Sequence, residues 1–373
     1  MNIEINGVSF GNKGAAMMLS AIVGRLRASL PDSRFVVKPN IGPYEWRTRL
    51  GLHHKLGGRR GLLTAKLLPG KLRQSYGLVS VDEIDVILDA SGFAYGDSWP
   101  ASNLSAAARR FVRAERSGKK IVFLPQAFGP FEACGKRKDC EKILRSGGLI
   151  FARDPESYDH VRSLVREDGK VCYAPDFTNL LVPRENVDCD SGDVAIIPNS
   201  QMVRHGNESA EDAYCQFLAL CIDVVRASGL TPFLLLHQLR GDVVFAKKLL
   251  ALLGESAPAL VTEDDPLTLK ALIGNARLVI GSRYHALVSS LSQGVPTIGT
   301  SWSHKYRYLF DDYDWSRYSV DTGVTADELG VLVHSIAGPG KYESAHNHLL
   351  GKSKELKQAT DQMWNRVEAY IRS

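Results

Sequence analysis

The chain of 373 residues lacks several features that would assign a protein to a class at once. It has no run of 18 apolar residues, and its first residues, MNIEINGVSF, contain no basic region followed by an apolar core. Its six cysteines show no C-x-x-C spacing, which argues against a zinc site and a secreted disulfide framework. We therefore expect a cytoplasmic protein with reduced cysteines.

The composition is that of an ordinary globular protein. Hydrophobic residues make up 44% and charged residues 23% of the chain, and its length is typical of two domains. The formal net charge of +5 is mild. Such a charge is compatible with a small anionic substrate and argues against nucleic-acid binding.

One stretch, LVIGSRYHALVSSLSQGVPTIGTSW, organises the interpretation of the rest. The short apolar run at Leu278–Ile280 predicts a buried strand, and Ser282 is expected to cap the following helix. That helix should cover about Arg283–Gln293 and end at Gly294, with a new strand starting at Pro296. The pattern is a β-α-β unit.

In such a unit the first helical turn lies at the carboxyl edge of the sheet, where open α/β folds bind ligands. Arg283 and His285 occupy this turn. Free backbone N–H groups and the helix dipole favour an anion there, and an arginine adds a fork that matches carboxylate or phosphate. The alternative is purely structural: an arginine paired with a buried carboxylate, and a hydrogen-bonded histidine.

The N-terminal half shows alternating strands and helices, which predicts a parallel sheet with helices on both faces. A glycine-rich loop, Gly7–Gly14, joins a first strand to a helix at about Ala15–Leu30. It matches neither a Walker A loop nor a G-x-G-x-x-G fingerprint. The loop is either a tight turn without a binding role or a ligand contact through Asn12. Three more predicted strands are Asp85–Leu88, Ile121–Leu124 and Leu149–Ala152.

Polar residues follow each of these strands and are candidates for contact with a ligand. They include Ser91, Gln126 and Arg153, which should lie along one sheet edge. Asp154 before Pro155 also fits a helix N-cap beside a structural arginine.

The segment Tyr44–Tyr76 differs from its surroundings because it is basic, interrupted by glycine and supplied with paired leucines. We interpret it as an insertion containing a short amphipathic helix. It is either an ordinary solvated insertion or a surface for an anionic lipid or glycolipid acceptor.

A second alternating series follows a polar break near residues 186–192. The predicted strands are Val194–Ile197, Thr231–Leu236 and Ala259–Val261, and the predicted helices are 210–227, 243–253 and 266–274. A long amphipathic helix at Lys352–Ile371 ends the chain. We therefore predict domains at 1–188 and 189–350, followed by a C-terminal helix at 351–373.

Several motifs occur together in an order that resembles the polysaccharide pyruvyl transferase family. They are Ser282-Arg283-Tyr284-His285, Ser292–Pro296, Lys305–Arg307, Gly11–Ala15, Gln126–Pro130, Ala152–Asp154 with Ser157, and Pro175-Asp176. The resemblance covers about residues 5 to 312, and the S-R-x-H turn is its most specific part. The segment Tyr44–Tyr76 has no matching family motif.

The resemblance implies a GT-B-like fold, in which two Rossmann-like domains face each other across a cleft and the last helix crosses back to the first domain. It implies transfer of pyruvate from phosphoenolpyruvate to two hydroxyls of a sugar, in an exopolysaccharide or a lipid-linked precursor, without a metal or nucleotide cofactor. The acceptor would bind the first domain through Asn12, Gly14, Ser91 and Gln126. The protein would then work in the cytoplasm or at the inner face of the membrane.

The residue types suit this chemistry. Arg283 and Arg153 are the expected ligands of the donor's carboxylate and phosphate, with Ser282 and Lys305 as further donor contacts. His285 is the expected general acid, because an imidazolium between anionic groups can deliver a proton to the donor's methylene carbon. The alternative is a GT-B glycosyltransferase that uses a nucleotide sugar. It is disfavoured because the site edge offers no acidic residue for a ribose between His285 and Asp311.

Overall fold

The computed structural model describes residues 1–188, 191–203, 208–300 and 304–373. The chain divides into two compact units. Unit 1 contains Met1–Phe10, Met18–Phe177 and Ala359–Ser373, whereas unit 2 contains Gly11–Met17 and Thr178–Gln358.

Unit 1 is built on a fully parallel sheet of eight strands in the order β4-β3-β2-β1-β5-β6-β7-β8. The strands are β1 (Asn2–Asn6), β2 (Arg34–Val37), β3 (His53–Leu56), β4 (Leu78–Ser80), β5 (Val86–Asp89), β6 (Lys120–Gln126), β7 (Leu149–Ala152) and β8 (Val171–Tyr173). Its helices are α1 (Lys13–Ser29), whose first turn belongs to unit 2, α2 (Tyr44–Arg49), α3 (Gly58–Leu67), α4 (Gly70–Ser75), α5 (Ala101–Arg116), α6 (Cys134–Arg145) and α7 (Pro155–Arg162).

Unit 2 has a parallel sheet of six strands in the order β11-β10-β9-β12-β13-β14. The strands are β9 (Val194–Ile197), β10 (Pro232–Leu236), β11 (Ala259–Thr262), β12 (Leu278–Gly281), β13 (Thr297–Thr300) and β14 (Ser319–Val320). The helices are α8 (Glu208–Ala227), α9 (Leu239–Leu253), α10 (Pro266–Asn275), α11 (Tyr284–Leu291), α12 (His304–Asp312), α13 (Ala326–Ala337) and α14 (Tyr342–Arg372). Short 3₁₀ turns occur at Val81–Glu83, Phe177–Leu180, Ser200–Met202, Gly254–Ser256 and Ser316–Tyr318.

Each sheet has a point where the strand order reverses. In unit 1 it lies between β1 and β5, and in unit 2 between β9 and β12. Helices that leave neighbouring strands on opposite faces open a crevice at such a point, beyond the carboxyl ends of the strands. The two reversals therefore mark where each unit is best arranged to bind a ligand.

The unit boundary lies at residue 177 rather than at the 188 expected from the polar break. Leu181 and Val187 pack against the core of the second sheet, and the buried Lys270 ammonium donates to the carbonyl of Thr178 at 2.8 Å. Met17 joins the same core, which explains why the first turn of α1 groups with unit 2. These contacts lie outside any local pattern that marks a linker.

The segment Tyr44–Tyr76 contributes a strand to the first sheet, which the sequence did not predict, and its interpretation as an insertion stays a prediction. It supplies β3, which pairs with β2 and β4, as well as three short helices. The Lys55 ammonium on β3 lies 2.6 Å from the carboxylate of the buried Glu4 on β1. This strand lacks the alternation of apolar and polar residues that would predict it from the sequence. The charge of its Lys55 is neutralised by Glu4.

The final helix is longer than predicted and contributes to both units. It begins at Tyr342, and its last part, from Ala359, belongs to unit 1. There Arg25 on α1 forms ion pairs with Asp361 at 2.8 Å and Glu368 at 2.9 Å. Among the described residues, no helix is both long and apolar enough to cross a bilayer.

Candidate active site

His285 lies in the first turn of α11, immediately beyond the carboxyl end of β12. The predicted N-cap Ser282 is wrong, because Arg283 occupies the N-cap position and the helix begins at Tyr284. The helix ends close to the predicted Gly294, whose φ of +77° is one that a side chain would strain. The β-α-β unit is therefore present as predicted, with a start one residue later.

Ser282 is fully buried and its hydroxyl holds the turn together. It shares a hydrogen bond of 2.8 Å with the Tyr214 hydroxyl, and its carbonyl accepts from Asn199 at 2.6 Å and from Tyr306 at 3.0 Å. Burial raises the pKa of Tyr214, so this phenol stays protonated. A side chain engaged in this way positions the turn, and the direct contact of Ser282 with a donor stays a prediction.

Arg283 is held by a carboxylate from the same unit. Its Nε donates to Asp242 Oδ2 at 3.0 Å, its Nη2 pairs with Asp242 Oδ1, and its Nη1 donates to Gln238 Oε1 at 2.9 Å. Asp242 is fully buried, and Arg283 is 9% exposed. This is the structural pairing that the sequence left open as an alternative. The role of Arg283 as a donor ligand stays a prediction.

The first turn of α1 packs against the imidazole of His285. A Cβ placed on Gly14 would lie 2.3 Å from Nδ1 of His285, so only glycine allows this approach. Asn12 caps the same turn, with its Oδ1 accepting from the backbone N–H of Ala15 at 3.3 Å. Gly14 and Asn12, predicted as acceptor contacts, thus lie in unit 2, where Gly14 supports the predicted acid.

Lys13 and His237 are two further cationic or titratable groups near Arg283 and His285. Lys13 is 5% exposed, and its ammonium donates to both the carbonyl and Oδ1 of Asp264 at 2.8 Å. His237 follows β10 and is 3% exposed. Burial, followed by the nearby charges of Arg283, His285 and Lys13, lowers the pKa of His237 well below its ordinary value.

His237 is a candidate that the sequence reasoning missed. Its Nε2 is buried without a hydrogen-bond partner among the residues that the structure describes. Its position could have been inferred from the sequence, because His237 directly follows the apolar strand PFLLL and therefore lies at the same sheet edge as Arg283. A neutral imidazole here offers a proton acceptor beside the predicted acid.

In unit 1, the side chains after β5 and β6 form one buried network around Asp89. Asp89 accepts from Gln126 Nε2 at 3.2 Å, from the Tyr95 hydroxyl at 3.0 Å and from the Asn6 amide, and its own exposure is zero. Gln126 is also fully buried. It supports Asp89 in this structure, so its direct contact with an acceptor stays a prediction.

Arg153 lies at the end of β7 in the same unit. Its Nη1 donates to the buried Asp176 at 2.8 Å, and its Nη2 donates to the carbonyl of Gly92 at 3.4 Å. Asp154 caps α7 by accepting from the backbone N–H of Ser157 at 2.7 Å, as predicted. The donor-binding role of Arg153 stays a prediction. Lys305 lies in α12, but its side chain is outside the described part of the chain.

A pocket of about 620 Å³ opens at the strand reversal of unit 1, between the ends of β1 and β5. Ser91 lines it, as predicted for the acceptor side, and Gly7 (φ +83°) fits against Ser91 because it has no Cβ. Lys38 and Arg110 add positive charge to its wall. Both units thus carry polar and cationic side chains at their strand reversals.

Comparison with known proteins identifies the family. The family model described as "Polysaccharide pyruvyl transferase" matches residues 12–304, which is more than half of the chain. The chain belongs to the polysaccharide pyruvyl transferase family. The predicted family is therefore confirmed, and with it membership of a transferase family that acts on polysaccharides. No curated protein matches the chain by sequence.

Solved structures with a similar fold include several proteins in complex with UDP. The S. aureus MnaA-UDP co-structure has a TM-score of 0.63 at 10% identity, covering 100% of this chain and 96% of that chain. The Methanocaldococcus jannaschii UDP-GlcNAc 2-epimerase in complex with UDP-GlcNAc and UDP has a TM-score of 0.60 at 14% identity, covering 98% and 100%. Anabaena Alr3699/HepE in complex with UDP and glucose has a TM-score of 0.58 at 12% identity, covering 98% of both chains.

At such low identities the likeness concerns the fold alone. The predicted GT-B-like class with two Rossmann-like domains is confirmed by these neighbours and by the two parallel sheets. What the neighbours bind carries no information about the ligand of this family member.

Proposed function

We propose that this member of the family moves pyruvate from phosphoenolpyruvate onto two hydroxyls of a saccharide in a cell-surface polysaccharide or its lipid-linked precursor. The observation that carries the proposal is the position of His285. His285 lies in the first helical turn at the strand reversal of unit 2, and Gly14 lies so close to it that a Cβ there would be 2.3 Å from its Nδ1. A titratable group held at such an edge suits a proton transfer to a bound ligand.

The charges around His285 suit an anionic donor. Arg283 and Lys13 lie close enough to His237 to lower its pKa, although burial is the larger cause, and each of the two cations is also paired with a carboxylate, Asp242 and Asp264. Phosphoenolpyruvate carries a carboxylate and a phosphate, and the free N–H groups at the start of α11 favour such groups as well. Lys13 is a further donor contact in this proposal, in addition to the predicted Arg283 of the same unit, and the donor contacts of Arg153 and Lys305 stay predictions.

Two chemical steps transfer the pyruvate. In the first, a sugar hydroxyl adds to the central carbon of phosphoenolpyruvate, and His285 delivers a proton to the methylene carbon, which becomes a methyl group. The proton lost by the hydroxyl restores the imidazolium. In the second, a neighbouring hydroxyl displaces phosphate from the same carbon, and its proton leaves with the phosphate or with a base, which completes the ketal.

His237 has a matching role in this scheme. Its pKa lies well below the ordinary value because it is buried beside cationic groups, so it remains neutral where His285 must carry a proton. Two histidines in different environments can then hold different protonation states at one pH, which is how a site separates an acid from an acceptor. In this proposal, His237 accepts a hydrogen bond from the attacking sugar hydroxyl through its Nε2.

The test compares donors on the purified full chain. Phosphoenolpyruvate at about 100 times its dissociation constant should stabilise the folded protein by roughly 2.7 kcal/mol, because it binds the native state only. UDP- and GDP-sugars should leave the melting temperature unchanged. Phosphate release in a screen of free and lipid-linked saccharides should then identify the acceptor, and EDTA should not reduce turnover.

Nucleotide-sugar transfer is the competing function, and the same experiment separates the two. A rise in melting temperature with a UDP- or GDP-sugar, together with no rise with phosphoenolpyruvate, would overturn the proposed donor. The family membership would stand in that case, but its chemistry in this chain would have to be assigned again.

A further inference from the structure

The pocket in unit 1 combines an open volume with two cationic side chains that the proposed reaction does not use. Its volume of about 620 Å³ is within the range of small-ligand sites. The polar side chains of Ser9, Asn40 and Asn103 line it together with Trp99. Amide and hydroxyl groups beside an aromatic ring are groups that can bind a sugar's hydroxyls and its apolar face.

Lys38 is an exposed cation of this pocket, and no described carboxylate forms an ion pair with it. It forms neither a hydrogen bond nor an ion pair among the residues that the structure describes. The carboxylates nearby are already engaged: Glu4 pairs with Lys55 at 2.6 Å, and Asp89 lies 3.9 Å from Arg110. Partial desolvation, followed by the Arg110 guanidinium, lowers the pKa of Lys38, and the carboxylates of Glu4 and Asp89 oppose this shift in part.

Arg110 is oriented toward the same pocket by a fixed partner. Its Nη1 donates to Asn6 Oδ1 at 2.7 Å, and Asn6 in turn donates to the buried Asp89. Its Nε is buried without a hydrogen-bond partner among the described residues, and the same is true of the indole N–H of Trp99. Unpaired buried donors are costly, and an acidic or hydroxylated ligand would satisfy them.

We infer that this pocket binds the saccharide acceptor through an anionic group, a sugar phosphate or a uronate carboxylate, held by Lys38 and Arg110. The inference rests on the proposed function only in calling the ligand the acceptor. A planar guanidinium beside a flexible ammonium suits either oxyanion. The sugar ring then occupies the part of the pocket lined by Trp99 and the asparagines, at the end of the strands that reverse direction.

The experiment titrates the full chain by calorimetry with three galactose probes and their glucose counterparts: the neutral sugar, the sugar 1-phosphate and the uronate. The anionic sugars should bind at least about tenfold more tightly than the neutral ones, a free-energy difference of about 1.4 kcal/mol. The stronger of the two anionic probes distinguishes a phosphate-bearing acceptor from a uronate-bearing one. The preference should weaken at high salt.

Lys38→Met is the deciding variant because the described structure gives Lys38 no partner to lose, so folding is preserved. It should reduce the affinity for the preferred anionic sugar about tenfold and leave that for the neutral sugar unchanged. Lys138→Met is the matched control, since Lys138 of α6 is exposed, lies outside the pocket and has no hydrogen bond or ion pair with any described residue. It should behave like the wild type.

Three results would overturn the inference: equal affinity for neutral and anionic sugars, an unchanged preference in Lys38→Met, or no binding by any probe. Phosphoenolpyruvate binding is measured on the same protein. If phosphoenolpyruvate binds and the charged sugars do not, only the anionic acceptor is refuted. If the charged sugars bind through Lys38 and phosphoenolpyruvate does not bind, the pocket stands and the proposed donor is refuted.

Discussion

Replacing Gly14 by alanine tests whether the position of His285 matters for the reaction. An added Cβ would lie 2.3 Å from Nδ1 of His285, whereas carbon atoms in good contact are about 3.5 Å apart. The imidazole or the first turn of α1 must therefore move by about 1.2 Å, the difference between these two distances. A displacement of about 1 Å at a reacting group can cost about 10²-fold in rate.

Gly24→Ala is the matched control on the same helix. Gly24 is exposed, and nothing lies within 4 Å of the Cβ that alanine would add. The substitution should stabilise α1 by up to about 1 kcal/mol through helix propensity and leave turnover unchanged. Both variants thus make the same chemical change in one helix, and only one of them meets the imidazole.

The assay is phosphate release from phosphoenolpyruvate with the acceptor found in the saccharide screen, combined with melting temperatures. Gly14→Ala should be folded and bind phosphoenolpyruvate, with turnover reduced about 10²-fold relative to Gly24→Ala. Equal turnover in the two variants would refute the reasoning, because the reaction would then not depend on where the imidazole is held.

Three further outcomes follow from the structure. His237 has a lowered pKa in the folded protein, so below about pH 6.5 the unfolded chain binds a proton that the folded chain does not. The free energy of unfolding should therefore fall with decreasing pH by up to about 1.4 kcal/mol per pH unit, and the melting temperature of His237→Gln should depend less steeply on pH. Equal slopes in the two proteins would contradict the burial of a neutral imidazole. Arg283→Ala leaves the carboxylate of Asp242 buried without its arginine partner and should lower the free energy of unfolding by about 3–5 kcal/mol. An unchanged denaturation midpoint would show that this ion pair does not stabilise the fold. The basic segment Tyr44–Tyr76 exposes Leu63, Leu67 and Tyr76, so the protein should co-sediment with anionic vesicles at low salt and be released at high salt. Equal recovery with neutral vesicles would show that the segment does not bind anionic lipid.

The sequence predicted the parts of the fold that rest on local apolar runs. Val194–Ile197 and Leu149–Ala152 have the predicted bounds, because strands buried on both faces are continuously apolar. Strands without such runs were missed, and so was β2, although its Phe35, Val36 and Val37 are apolar and buried. The mostly polar strand His53–Leu56 pairs through its backbone with β2 and β4, and its Lys55 forms an ion pair with Glu4, which is far away along the chain.

Helix ends were harder to predict for a similar reason. Ser282 is a good cap by residue type, but its hydroxyl is used by Tyr214 instead. The start of the last helix was predicted ten residues late, at Lys352, and the helix continues through the exposed Gly351. A single exposed glycine costs a helix only about 1 kcal/mol, which the packing of a long helix offsets.

The candidate site was predicted in its location and only partly in its contacts. The motifs and the order of the strands together indicated the turn that contains Arg283 and His285, since open α/β sheets bind their ligands beyond the carboxyl ends of the parallel strands. The sequence could not tell that Asp242 holds Arg283, or that Gly14 packs on His285, because both partners come from distant segments. It left the structural role of Arg283 open, and it missed His237.

The most direct test of the account is His285→Gln, with melting temperature, phosphoenolpyruvate affinity and turnover measured on the same preparation. Glutamine keeps a polar side chain in the first turn of α11 but cannot deliver a proton. The proposed role of His285 as general acid predicts a near-normal melting temperature, near-normal phosphoenolpyruvate affinity and turnover reduced by about 10²–10⁴-fold, the usual range for such an acid. A well-folded His285→Gln protein with near-normal turnover would contradict it.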